Sequence, residues 1–298
     1  MRNLSLGLDL RRGQSRHVYL ISLELLRKGY SSTSTLVRHC DLAIGPTRLS
    51  LMSAVVYSTR EPQPVRPVAT LRTPFLEKFG VPRQSGLVPE AEGLVVFAPE
   101  FAREEFVRGL EAFSHIWLIT QFHHNESWAG AATVRPPRLG GNERVGVFAS
   151  RSPNRPNGLG LSLVRLIAIE KSPSLMLRVA GIDAVDGTPV FDVKPYLPWC
   201  EAPVEARADW AQAAPAARPA ENVLISPELS LHVHNTRPEN GAATLALVRH
   251  LLQHNHQPAY QHDASRRYGM SVAGWNVRWR ILDDDRVEVC ALERLVAQ

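Results

Sequence analysis

Between Thr133 and Leu163 the chain reads TVRPPRLGGNERVGVFASRSPNRPNGLGLSL. Five arginines (Arg135, Arg138, Arg144, Arg151 and Arg155) stand against a single acid, Glu143, among repeated prolines and glycines. Proline cannot donate to a helix or ladder and glycine weakens both, so neither a long helix nor an unbroken strand can run through this stretch. It must be a shaped loop system carried by a scaffold made elsewhere in the chain. Guanidinium forks bind carboxylates and phosphates bidentately, and Gly140-Gly141, Gly158 and Gly160 let backbone amides approach a ligand. The pattern points to an anionic partner, a phosphodiester or a nucleotide. A merely solvated basic face is the competing reading, and the interleaved proline and glycine weigh against it.

The 298 residues are 44% hydrophobic and 21% charged, enough apolar material for a real core and a length that suits two domains. The net charge of +5 does not describe the folded body: residues 1–51 carry eight Lys and Arg against three acids, and the rest of the chain balances. Any nucleic-acid surface must therefore be a local patch. Residues 1–51 are rich in arginine and serine and poor in acids. They read either as an organellar transit segment or as sequence upstream of a true start at Met52, with little order expected before about Val65. Cys40, Cys200 and Cys290 are too far apart for a C-x-x-C pair and odd in number, which suits a reducing cytoplasm. No apolar run is long enough for a membrane-spanning helix.

From Val68 the text breaks into short pieces. Strands are expected at Val68–Arg72, Gly93–Phe97, His115–Phe122, Val145–Ser150, Leu161–Ile169 and Leu175–Ile182. Pro99-Glu100 reads as a helix start, with Ala102, Phe106, Val107, Leu110 and Phe113 at helical spacing. The third strand delivers His123-His124-Asn125 at its end, and the last delivers Asp183-Ala184-Val185-Asp186 before a tight Asp-Gly turn. Such carboxylates can serve the turn or accept hydrogen bonds from ribose hydroxyls. Many short strands with few helices indicate a closed or nearly closed β-barrel, so the fold class is mainly β with a small α+β C-terminal domain.

Pro195 to Pro219 reads as a crossing segment. Beyond it, a helix is expected from Arg237-Pro-Glu239 to about Leu252, then strands at Ser271–Leu282 and Arg286–Leu292. The cluster Trp275-Asn276-Val277-Arg278-Trp279-Arg280 could stack on and neutralise nucleic acid, though alternation buries part of it. Six of the eleven histidines lie in this half, but without acidic and cysteine partners arranged around them no metal is expected. The domain boundaries read as 1–64, an extension; 65–202, the barrel; and 203–298, a linker and the C-terminal unit.

Pro82-Arg83-Gln84, Gly109-Leu-Glu-Ala-Phe-Ser-His115, Val134-Arg-Pro-Pro-Arg-Leu-Gly-Gly-Asn142, Arg155-Pro-Asn157, Asp186-Gly-Thr-Pro189 and Asp192-Val-Lys-Pro-Tyr196 together resemble the TrmO/YaeB (TsaA-like) family. The resemblance runs from about Val68 to the C-terminus, where Pro258-Ala-Tyr260 and Asn276-Val-Arg-Trp279 carry it. It implies a tRNA methyltransferase dependent on S-adenosylmethionine (SAM), built on a β-barrel instead of a Rossmann fold. The implied product is m6t6A, made by methylating N6 of threonylcarbamoyl-adenosine (t6A) beside the anticodon of threonine tRNA. The implied assembly is a homodimer with the cofactor site near the interface. No G-x-G-x-x-G opens a helix in this chain, in keeping with that fold.

Carried over position by position, the cofactor contacts implied by the resemblance fall on Pro82, Arg83 and Gln84; on His123 and His124; on Arg151 and Leu161; and on Asp183, Ala184, Val185 and Asp186. Asn157 would polarise the nucleophile, with Arg155 beside it. Arg135, Arg138, Arg144, Tyr260 and Arg278 would contact tRNA. The chain departs from the family where Asn154 replaces an aromatic, Gly158 a proline and His124 a glutamine. A non-catalytic SAM- or tRNA-binding module of the same fold is the alternative from another class, and a metal-dependent hydrolase using the histidines is a third.

Overall fold

The computed structural model describes residues 64–126, 128–140, 142–254 and 266–295. Contacts divide the chain into two units, Met1–Pro64 and Val65–Gln298. The expectation for residues before Val65 lies outside the described residues, as do Cys40 and Tyr260.

Six antiparallel strands close a barrel: β1 (Ala69–Arg72), β2 (Glu92–Phe97), β3 (His115–Gln121), β6 (Leu159–Glu170), β7 (Met176–Ala180) and β8 (Pro189–Pro195), in the order β1-β2-β7-β6-β3-β8. Each alternates as its sequence alternates, sending Leu71, Val95, Ile116, Leu118, Leu177 and Val190 into the interior with no measurable exposure. Burying side chains of this size contributes roughly 1.5–3 kcal/mol each, and closure leaves the barrel no unpaired edge. The longest strand, β6, pairs with β3 through its first half and β7 through its second. A register shift between Leu166 and Ala168 makes the bend.

Between β3 and β6 the arginine-rich stretch forms a two-stranded arm, β4 (Thr133–Val134) with β5 (Val145–Gly146). After β8 and a four-residue helix, α1 (Pro198–Glu201), the chain builds a sheet in the order β10-β11-β12-β9. Its strands are β9 (Val223–Leu224), β10 (Tyr268–Val272), β11 (Trp275–Ile281) and β12 (Val287–Arg294), with helices α2 (Pro227–Thr236) and α3 (Gly241–His254) between β9 and β10. Trp275, Val277 and Trp279 of β11 are buried while Arg278 and Arg280 face out, so the aromatics of the expected stacking cluster are core.

Four expected elements differ. The apolar spacing after Pro99 gives three separate 3-10 turns, because Gly109 adopts φ +87° and only Val107 of the set is buried, with Phe106 54% exposed. The strand expected over Val145–Ser150 stops at Gly146 and continues as a 3-10 turn, Val147–Ala149. Helix α2 precedes the expected one: Ser226 caps it by accepting from the Leu229 amide, with Pro227 at the first turn, a start signal the polar sequence around it hid. Helix α3 then follows a tight joint, since a Cβ on Gly241 would lie 3.0 Å from His234 Cα. Ser271–Leu282 is a hairpin instead of one strand; Ala273 and Gly274 turn it at φ +52° and +79°.

Candidate active site

The loops at the β3/β6 end enclose a pocket of about 740 Å³. That size suits a drug- or nucleotide-sized ligand. Its floor is the start of β6. Gly160 is buried against Thr120 on β3, and a Cβ there would sit 2.5 Å from Thr120 Oγ1 and 3.2 Å from the Phe122 ring. Only glycine lets the two strands and the Phe122 ring come together at this point.

Four loops supply the polar wall, the arginine-rich stretch before β6 among them. Pro82, Arg83 and Gln84 form one side, and Gln84 Oε1 accepts from Arg151 at 2.8 Å, tying this loop to the arginine-rich stretch. His123 and His124 leave β3 with ring centroids 4.1 Å apart. Thr188 Oγ1 donates to Val185 O at 2.7 Å and lies 3.3 Å from His123 Nδ1, tying the imidazole to the turn after Val185. Burial, and then the neighbouring His124, hold His123 below the usual histidine range, so it is neutral at pH 7.

Asp183, Ala184 and Val185 make the third loop. Ser162 donates to Asp183 Oδ1 at 2.5 Å. Burial pushes the Asp183 carboxyl above the ordinary aspartate value; the Ser162 bond, backbone donors and Arg151 pull the other way. An acid raised on folding releases its proton less readily in the folded chain than in the unfolded one, so folding stability falls as pH rises from the ordinary aspartate value towards the raised one. Asp183→Asn is therefore expected to raise the melting temperature at pH 7 and to lose that advantage below about pH 4. Thermal melts across that range check it; a variant less stable than wild type at pH 7 would show that the carboxylate is not under this penalty.

Asp186 is placed differently from its neighbours and is not among the residues lining the pocket. Its carboxylate accepts from the Thr73 amide at 2.9 Å and from Arg72 at 3.2 Å, bracing the end of β1. Arg155 and Asn157 both line the pocket, and Arg155 donates to Ser150 O at 3.2 Å, so it also shapes its own loop. Asn154 accepts from Asn125 at 3.4 Å, joining that loop to the histidine turn. Gly158 sits at φ +58°, a conformation closed to proline, so the turn here differs from one carrying proline at that position.

The remaining arginines lie apart from the pocket. Arg135, Arg138 and Arg144 are exposed on or beside the β4–β5 arm; Arg138 donates to Ala213 O at 2.7 Å and Arg144 to Thr133 Oγ1 at 2.8 Å. Arg278 pairs with Glu293 at 3.5 Å on the outer face of the C-terminal sheet. Sequence reasoning missed Lys78, Phe122, Phe148, Ser162 and Thr188 in the pocket wall. Phe148, 80% exposed, had a signal: an aromatic set among arginines in a loop. Ser162 had none, since a serine inside a strand becomes meaningful only once Asp183 is beside it. No group of three or more His, Cys, Asp or Glu among the described residues could hold a metal ion.

Two family descriptions match the chain: the tRNA-methyltransferase O N-terminal domain over residues 70–202 and the TrmO C-terminal domain over residues 219–295. The tRNA (adenine(37)-N6)-methyltransferase of Escherichia coli (strain K12) is 42% identical over 229 residues, 76% of this chain and 96% of that protein. The chain belongs to the tRNA-methyltransferase O family. A putative S-adenosylmethionine-dependent methyltransferase, RcsF, from Pseudomonas aeruginosa is 39% identical over 226 residues, 76% of this chain and 95% of that protein. The crystal structure of TrmO from Pseudomonas aeruginosa superposes with a TM-score of 0.63 at 32% identity, covering 78% of this chain and 98% of that one. The pocket lies wholly within the part of the chain matched by the N-terminal domain.

Proposed function

We propose that this TrmO family member uses SAM to methylate N6 of threonylcarbamoyl-adenosine beside the anticodon of threonine tRNA, giving m6t6A. The observation that carries this reading is the composition of the pocket wall. Leu161 and Phe148 offer apolar surface for a purine, while Asp183 and Arg151 offer a carboxylate and a guanidinium for the amine or ribose and the carboxylate of an amino-acid nucleoside. Relatives whose names specify adenine-N6 methylation of tRNA, and SAM dependence, support the same reading.

When bound, SAM supplies an already activated sulfonium methyl, so the protein's work is alignment. Leu161, Asp183 and Arg151 would hold the nucleoside and amino-acid ends, and a neutral His123 adds no like charge beside a sulfonium cation. Asn157, on the pocket rim, would accept a hydrogen bond from the N6–H and turn the nitrogen lone pair inward. Arg155 would steady the threonyl carboxylate. The carbamoyl N–H is more acidic than an amine, so water can take the proton as charge develops. Arg135, Arg138 and Arg144 on the exposed arm would meet anticodon-loop phosphates, with Arg278 and the region of Tyr260 contributing from the C-terminal part, residues 203–298.

A homodimer fits the outer barrel face. Leu159 and Leu161 on β6, in register with Gln121 and Ile119 of β3, belong to the pocket wall and stand 42% and 52% exposed. The part of this apolar surface that a bound nucleoside leaves uncovered would pack against the second copy. The free thiols of Cys200 and Cys290 suit a reducing cytoplasm.

Mass spectrometry of anticodon-loop nucleosides from a strain lacking the gene, and from one complemented with it, tests the function. The expected result is loss of m6t6A with t6A accumulating, reversed on complementation, and a purified chain running at twice 33.1 kDa. Unchanged m6t6A alongside measurable SAM binding would favour the non-catalytic binding module.

A further inference from the structure

We infer that the C-terminal sheet sets the position of the cofactor loop, through a strap formed by residues 74–80, and that Phe79 and Glu77 are positioning residues for SAM. The inference rests on reading the pocket as the SAM site. The strap leaves β1 and lies across β10 and β11. The Ala273 amide donates to Pro74 O at 2.8 Å, Phe75 bridges to Val272, and the Ser271 amide donates to Glu77 Oε1 at 2.9 Å. Phe79 then stacks on Trp279, with centroids 6.0 Å apart and planes within 10°, and Trp279 stacks in turn on Tyr268. Gly80 ends the strap at φ +95°, where a Cβ would come within 3.0 Å of Met270 Sδ. Backbone, carboxylate, aromatic ring and glycine all fix one docked path.

Both ends of that path lead into the pocket. At its start, Asp186 accepts from the Thr73 amide and in turn donates its own amide to Phe75 O at 2.7 Å, while Thr73 Oγ1 donates to Ala184 O at 2.9 Å. The strap therefore holds the Asp183–Asp186 loop. At its far end, Lys78 and Val81 line the pocket themselves, and Pro82, Arg83 and Gln84 follow directly. A second tie crosses from α3, where His250 pairs with Glu90 on the chain just beyond that loop. None of Phe79, Glu77 and Trp279 is among the residues lining the pocket. Their influence on SAM can only be indirect, by pre-ordering loops whose freedom would otherwise have to be lost on binding.

Phe79 is the residue to change, because at 45% exposed its truncation opens no core cavity. Isothermal titration of SAM into the full chain should show Phe79→Ala binding roughly three- to tenfold more weakly, the equivalent of one aromatic pair. Phe79→Tyr, which keeps the stack, should bind as wild type. In turnover measurements KM for SAM should rise while kcat at saturation holds, with the unliganded variant's melting temperature well above the assay temperature, so that general destabilisation is excluded. Asp183→Asn, in the pocket wall, separates the two layers of the reading. If Asp183→Asn weakens SAM and Phe79→Ala does not, the strap has no positioning role. If Asp183→Asn also binds as wild type, the pocket assignment fails and the inference falls with it. Should Phe79→Ala not fold, Glu77→Ala removes a different tie of the same strap and is held to the same result.

Discussion

Gly160→Val is expected to reduce SAM binding by at least tenfold, and it is the single change in the pocket floor with the least room for accommodation. The first new carbon would stand 2.5 Å from Thr120 Oγ1, and Thr120 is 3% exposed, held in a ladder between two barrel strands. The Phe122 ring, 3.2 Å from the same point, could move only into the space the ligand needs. Overpacking of this kind costs about 1–3 kcal/mol, and part of it would appear as a lower melting temperature. Gly158→Ala is the instructive contrast. Nothing lies within 4 Å of a Cβ there, so only the φ of +58° penalises it. It should lose about 1 kcal/mol of stability and leave SAM affinity close to wild type. Titration calorimetry and thermal melts on the two variants separate obstruction from backbone strain; equal binding by both would mean that the floor at Gly160 does not bound the ligand.

Arg218→Met is expected to give the largest loss of stability in the C-terminal half, and to do so without touching the pocket. Arg218 is 5% exposed and donates to Leu252 O at 3.4 Å and to Asp285 through its carbonyl at 3.2 Å and its carboxylate at 3.1 Å. Its backbone exchanges bonds with Gln253 in both directions, at 2.9 Å each way. One side chain thus joins the end of α3 to the turn between β11 and β12. Asp285 itself is 68% exposed, so the charge pair is screened and counts for little; the cost comes from leaving the buried Leu252 carbonyl without this donor and from losing the guanidinium's packing between α3 and the β11–β12 turn. About 2–3 kcal/mol is expected, which for a body of this size is a drop of roughly 5–10 °C in melting temperature. Arg280→Met, which removes a surface pair with Glu288, should leave the melting temperature unchanged. A similar drop for both variants would show that the buried network is no stronger than a surface contact.

Much of the barrel was legible because its signals are local. Alternation in Ala69–Arg72, His115–Gln121 and Leu159–Glu170 reports directly which side chains face the core, and closure follows from many short strands that must bury one face each. The helix expected after Pro99 failed for a nonlocal reason. Apolar spacing of three and four cannot distinguish a helix lying on a core from successive 3-10 turns when only Val107 finds a surface to bury against. The hairpin at Ala273-Gly274 was hidden because alanine is no usual turn residue, and its φ of +52° is imposed by the pairing of β10 with β11. Candidate site residues quoted from contiguous motifs, such as Pro82-Arg83-Gln84 and His123-His124, came together in one pocket.

By itself, the sequence determined that a mainly β chain with a rigid, arginine-bearing loop system belongs among the tRNA-methyltransferase O proteins, since those signals are carried by neighbouring residues and their order. Tertiary structure alone decided how the members of each motif divide their work. Asp183 and Asp186 are three residues apart in the same turn, yet one carboxylate lies in the pocket on Ser162 and the other is turned back to hold β1. The physical reason is that a carboxylate's role depends on which donors reach it, and those donors come from β6 and from the start of the strap, far away in sequence. The same reason hides the strap: Phe79 gains a purpose only where Trp279, two hundred residues later, is folded against it.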